Sequence, residues 1–310
     1  MHLKTKISLI ISIISTLFYF SALKADIKVV TSIKPIHSLV SYVMDGVGTP
    51  DLIVDGYNSP HGFSLKPSHA KMLQEADIVI YVGEGLEEFL KKPLKSISQK
   101  SIKFELLKQS GMKKLKFRER NIFEGHEDHD DHGHGKKKKD DQDDHDHDKK
   151  AKKEDHDDHG HDDHGHGHGE FDPHIWLDPM NAKIIVKKVT NQLSKLDKEN
   201  SSTYKSNSKK ALKEIDDLIK QVKFNINKDS KIVVFHDAYQ YFEKRFEVNI
   251  IGALTVNADV LPGAEQLAEI REVIEHDKVT CVLSEPQFNP KIVEIIANDT
   301  NINMGVLDPL

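Results

Sequence analysis

The sequence predicts an α/β protein of two similar lobes, each built on a parallel sheet, with one long helix between them. Three observations carry this. Short runs of β-branched residues alternate with helical patterns in both halves of the chain. Gly, Pro and Asn clusters punctuate the alternation at close intervals. A single long amphipathic stretch separates the two series. Parallel βα units with right-handed crossovers follow from that rhythm.

The first 25 residues stand apart. Lys4 and Lys6 precede an apolar run from Ile7 to Phe20, and Leu23-Lys24-Ala25 precedes Asp26. This is the pattern of a cleaved secretory signal. The run of about 14 residues is short of the ~20 that a spanning helix needs. Export with cleavage after Ala25 is therefore expected. Cys281 is the only cysteine, so there is no internal disulfide framework and no cysteine at the cleavage site to take a lipid.

The first lobe is expected over residues 26–198. Asp26 to Ser32 reads as a strand, and Pro35 opens a helix through Met44 with Ile36, Leu39, Val40 and Val43 on one face. Asp51 to Val54 is a second strand. The turn-rich loop Asp55 to Lys66 follows, and Pro67 starts a helix through Glu75. Asp77 to Val82 is a buried-type strand, followed by a helix from Leu86 and a strand over Ile102 to Leu107. Asn181 to Leu196 repeats apolar residues at helical spacing. The linking helix is expected within 199–228, over Ser201 to Asn225, with a stripe of Tyr204, Ala211, Leu212, Ile215, Leu218, Ile219 and Val222. The second lobe spans 229–310. Its strands are Lys231 to Phe235, Val248 to Leu254, Val279 to Ser284 and Asn303 to Leu307. Its helices are Ala238 to Phe246, Ala264 to Glu275 and Pro290 to Ala297.

A low-complexity tract, Gly125 to Gly169, interrupts the first lobe. It holds 12 of the 19 histidines: His126, His129, His132, His134, His145, His147, His156, His159, His161, His164, His166 and His168. Its acids outnumber its lysines 16 to 8, a net −8 against −6 for the whole chain. The acidity therefore belongs to the tract, and no basic nucleic-acid footprint remains elsewhere. His, Asp, Gly and Lys alone build no packed core, so the tract is expected to be disordered and to capture metal as an auxiliary site. A solvated linker is the plainer reading.

Directly after the tract comes FDPHIWLDP, an ordered apolar signature around His174. His61 follows the second strand, and His236 directly follows the strand at 231–235. Loops at the carboxyl ends of parallel strands form the binding edge of open α/β sheets. Two such edges facing each other would gather His61, His174 and His236 in an interlobe cleft. With an oxygen as fourth ligand they would suit Zn²⁺. Asp308 is the first candidate for that oxygen and Glu285 the second. His37, His69 and His276 lie on helical patterns and are expected to be idle, and Phe171 and Trp176 to be core.

At this point the residues resemble a family. SPHGFSLKPSHAKMLQEADIVIYVGEGLE, FDPHIWLDPMNAK, IVVFHDAYQYFEKRF, CVLSEPQFNPKIV and MGVLDPL, in that order, are similar to the motifs of the cluster A-I metal-binding proteins of ABC transporters. The resemblance covers the mature chain apart from the tract, and the His-rich insertion looks most like the zinc-uptake branch. It implies two α/β lobes bridged by a long helix. It also implies that metal is handed to a membrane permease, with His61, His174 and His236 as ligands. Zinc-type members often have Glu before the first ligand, where this chain has Pro60; that leaves Asp308 or a water for the fourth position. The family also continues past the LDPL segment into a helix with a cysteine able to pair with Cys281. The sequence is accordingly expected to be truncated, with Cys281 a free thiol.

The function the resemblance implies is a monomeric, non-enzymatic solute-binding protein that captures Zn²⁺ in the periplasm and delivers it to an ABC permease. The tract would serve as reservoir or as buffer. A manganese-binding or adhesin-like member of the same family is the alternative, although manganese prefers oxygen ligands. A zinc hydrolase is the rival from another class, but the sequence has no HExxH helix and no motif that supplies a general base.

Overall fold

The structure is a computed structural model that describes residues 26–118, 121–122, 169–256, 260 and 262–310. The leader and the twelve histidines of the tract lie outside the described residues. The chain sorts into two units. One comprises Met1–Lys114, Pro173–Ile226 and Asp308–Leu310; the other comprises Leu115–Asp172 and Asn227–Leu307.

In the first unit β1 (Val29–Ile33) is buried along its whole length. Such continuous burial is what a strand covered on both faces requires. It pairs in parallel with β2 (Asp51–Val54) and β3 (Ile78–Tyr81), and β3 pairs with β4 (Ile102–Glu105). The order is β2-β1-β3-β4. Helix α1 (Lys34–Met44) begins with Pro35 in its first turn and buries Ile36, Val40 and Val43. Helix α2 spans Pro67–Glu75. The helix predicted from Leu86 is broken instead into a 3₁₀ turn, Glu88–Leu90, and α3, Lys91–Ser96. Pro93 explains the restart. It has no N–H to give to an ongoing helix but fits a first turn.

Helix α4 (Pro179–Leu196) is capped by Asp178, whose Oδ1 accepts from the Met180 N–H at 2.9 Å. Helix α5 (Ser201–Asn225) packs on α1 and α4. Asn207 Nδ2 fastens it, donating to the carbonyls of Val43 and Asp45. Its predicted apolar stripe is buried only in the first half. Tyr204, Ala211 and Ile215 are inside, whereas Leu218 is 51% exposed and Ile219 and Val222 are half-buried. Length is the reason: its 25 residues rise ~37 Å, while the 18 of α4 rise ~27 Å and the 11 of α1 ~16 Å. Among the described residues no helix is long and apolar enough to cross a membrane.

The second unit repeats the topology. Strands β5 (Lys231–His236), β6 (Asn249–Thr255), β7 (Cys281–Ser284) and β8 (Asn303–Val306) form a parallel sheet of order β6-β5-β7-β8. Helices α6 (Gln240–Phe246), α7 (Ala264–His276) and α8 (Lys291–Thr300) accompany it. Val233, Leu254, Ile270, Val282, Val293 and Ile296 make its core. Edge strand β8 leaves Val306 68% exposed. On the opposite edge Gly252 is required. A Cβ there would lie 2.7 Å from the Asn121 carbonyl oxygen, and Ala253 N–H donates to that same oxygen. Residues 121–122 thus lie along β6. The two flanks of the tract meet again in an antiparallel bridge between Lys116 and Phe171.

Candidate metal centre

His61 lies on the loop between β2 and α2. That loop is shaped by local bonds. Asn58 Nδ2 donates to the Asp55 carbonyl at 2.7 Å, Gly56 takes a positive φ of 61°, and His61 N–H donates to Ser59 Oγ at 3.3 Å. The loop's far end is fixed by His69, which the sequence pattern left idle. His69 Nδ1 accepts from the Lys66 N–H at 3.1 Å, and its ring stacks on Phe63, which in turn meets Phe89. Burial, reinforced by the Lys66 charge, lowers the pKa of His69, so the ring stays neutral and keeps that lone pair.

His174 sits just before a second 3₁₀ turn, Ile175–Leu177, that leads into α4. Asn181 holds this turn, donating to the Ile175 and Lys113 carbonyls while its Oδ1 accepts from the Lys113 N–H. Trp176 Nε1 donates to the Pro309 carbonyl at 2.7 Å, and the Trp176 ring meets His174 edge-on. Within this unit the rings of His61 and His174 are 5.6 Å apart, and their ligand nitrogens lie within 4.8 Å. His174 is buried, and His61 Nε2 is shielded from solvent. Two imidazoles from distant segments thus converge. Asp308, in the same unit, is exposed, and its Oδ1 accepts from the Leu310 N–H.

In the second unit His236 is the last residue of β5 and not, as the sequence pattern has it, the residue after a strand. Its Nδ1 lies 2.6 Å from Glu285 Oε2, both side chains being buried. Burial opposes a charged ring there, but the Glu285 carboxylate outweighs it and raises the pKa of His236. Tyr239 OH is within reach of Glu285 Oε1 and the Leu307 carbonyl as acceptors. Phe288 packs edge-on against the imidazole.

Further carboxylates surround this histidine that sequence reasoning did not single out. Asp237 is held by Arg118, which also pairs with Glu243. Burial pushes the Asp237 carboxyl up to about 6 against the pull of Arg118. Asp172 is 1% exposed, and its carboxylate is 3.4 Å from Gln240 Nε2. For Asp237 the available signal was an acidic residue directly after an apolar strand, as in VVFHD. Within this unit the imidazole of His236 thus stands amid carboxylates, surroundings that favour a cation.

Comparison with known proteins agrees in one direction. The family described as zinc-uptake complex component A periplasmic, ZnuA, matches residues 29–310. The high-affinity zinc uptake system protein ZnuA of Brucella abortus is 47% identical over 91% of this chain and 83% of its own length. That of Haemophilus influenzae is 40% identical over 97% and 90%. Among solved structures, a ZnuA crystal structure aligns with TM-score 0.69 at 21% identity, covering 92% of each chain. The laminin-binding protein Lmb of Streptococcus agalactiae aligns with TM-score 0.66 at 21%, covering 91% of this chain and 89% of its own.

Proposed function

This chain belongs to the ZnuA family of periplasmic zinc-uptake components, and from that premise we propose how it holds its ion and hands it on. It binds Zn²⁺ as the periplasmic component of a zinc uptake system. The ion is cargo. It is taken up and released unchanged, without covalent chemistry. The proposed ligands are the imidazoles of His61, His174 and His236, with Asp308 supplying oxygen in the fourth position of a tetrahedron. The observation that carries this reading is the convergence of the His61 and His174 nitrogens within 4.8 Å. Three imidazoles select zinc over manganese, which favours oxygen ligands.

The partner is the membrane permease of an ABC transporter, and the working unit is the monomer. The histidines between His126 and His168 act as auxiliary capture, raising the local zinc concentration at the tight site. Deleting residues 125–169 is expected to remove several weakly held zincs and leave one tight zinc per chain. Elemental analysis before and after mild chelation checks this; loss of the tight zinc would place the primary site in the tract. The leader is removed after Ala25, so intact mass of the exported protein should correspond to a chain starting at Asp26. An exported pool that retains Met1 would contradict this.

A further inference from the structure

We propose that Glu285 is a positioning residue for zinc, fixing His236 as the Nδ1–H tautomer and aiming its Nε2 at the ion without itself being a ligand. The proposal rests on the reading of His236 as a ligand. It starts from the sheet. Strands β5 and β7 are neighbours, with Ile232, Val233 and Val234 opposite Cys281, Val282 and Leu283. The same offset, carried past the strand ends, sets His236 opposite Glu285. The other neighbour of β5 is β6, whose Thr255 faces His236. Strands β6 and β7 lie on either side of β5, so the crossovers after β5 and β6 run in opposite directions. A crevice opens at such a reversal, outside the carboxyl ends of the strands. His236 and Glu285 stand there together.

The chemistry then limits what each group does. Glu285 is 3% exposed, and a carboxylate so placed must have its oxygens satisfied. Oε2 meets His236 Nδ1 at 2.6 Å, and Oε1 is within reach of Tyr239 OH at 3.3 Å and, at 3.4 Å, of the His236 backbone N–H. All these partners lie in the same unit. A neutral imidazole carries one proton. If Nδ1 donates it to Glu285, the only lone pair left for a metal is on Nε2. A carboxylate behind a ligating histidine also raises the ring's basicity and locks its rotation. Nε2 lies across the ring from Nδ1, so an ion held on Nε2 sits on the side of His236 away from Glu285.

The test uses the full chain. Zinc affinity is measured by chelator competition for wild type, Glu285→Leu, Glu285→Gln and His236→Ala. Nitrogen-15 spectra of the wild-type imidazoles are recorded without and with zinc. Glu285→Leu should weaken binding about 10–100-fold, the range typical of losing such an outer hydrogen bond. Glu285→Gln keeps an acceptor and should lose clearly less. His236 should show a protonated Nδ1 without zinc, and zinc should shift Nε2 alone. Coordination through Nδ1 overturns the proposal, and so does Glu285→Gln losing as much as His236→Ala. If Glu285→Leu misfolds, the wild-type spectra and the Gln variant still decide. A Glu285→Leu protein that binds like wild type while His236→Ala loses zinc sinks only the positioning role. Wild-type affinity in His236→Ala sinks the ligand reading itself.

Discussion

Replacing His61 or His174 with alanine should weaken zinc binding by more than about 100-fold, beyond what loss of an outer hydrogen bond removes. A tetrahedral zinc site loses its geometry when one of its three imidazoles goes. Both rings are already ordered: His174 by the Asn181-braced turn before α4, and His61 by a loop secured through His69 and Phe63. Alanine at His37, whose Nε2 bonds the Pro50 carbonyl, should leave zinc affinity unchanged. Isothermal titration with a competing chelator would show it, and a silent replacement at His61 or His174 would remove that residue from the site. Affinity should also fall with pH, because an imidazole binds metal only when neutral. Competition from protons is expected below about pH 6.5 for an unperturbed ring. At His236, where Glu285 raises the pKa, it should set in at higher pH.

The stability of the metal-free protein should decline by about 3 kcal/mol between pH 4.5 and pH 7 through one residue, Glu87. Its carboxylate is 1% exposed at the carboxyl end of β3 and accepts from the Val82 and Gly83 N–H groups. Burial outweighs those bonds and pushes its pKa up to about 7, from 4.5. A raised acid pKa means that the folded state binds the proton more tightly. The stabilisation is complete below about pH 4.5, is lost as pH rises through 7, and stays lost above it. Glu87→Gln, which cannot ionise, should flatten this decline. Urea denaturation of both proteins at several pH values between 4.5 and 8 measures it, and parallel curves would show that Glu87 does not titrate in this range.

Most elements were legible because their patterns were unambiguous. β2, α2 and α5 have the predicted bounds. A proline opens α2, and Asn200 and Asn225 bracket α5. The break at Glu88–Leu90 was not legible, since apolar spacing runs through it and only backbone geometry decides where Pro93 falls in a turn. The half-buried face of α5 was likewise hidden, because periodicity reports a stripe but not the length of the helices available to cover it. His61 and His174 could be picked out as loop histidines in ordered context. Their approach in space depends on tertiary packing. The bond between His236 and Glu285 depends on strand order, with β7 placed beside β5, and no local pattern encodes that. Glu285 accordingly read as a spare oxygen ligand. His69 read as idle because its partner is a backbone N–H three residues away, which leaves no trace in composition.

The two units differ in how their parts are strung along the chain, and this bears on the order of assembly. Strands β5 to β8 and their helices follow one another within residues 231–306, so the second core can collapse from contacts close in sequence. The first sheet is complete by Glu105, yet two of its helices, α4 and α5, begin only at Pro179 and Ser201. Contacts between α1 and these helices therefore close a loop that includes the entire tract. Such distant closures slow folding, because chain entropy is lost before the contacts repay it. An emerging chain thus carries a finished but partly uncovered first sheet until Asn225 has been delivered, and the first unit is the slower of the two to mature.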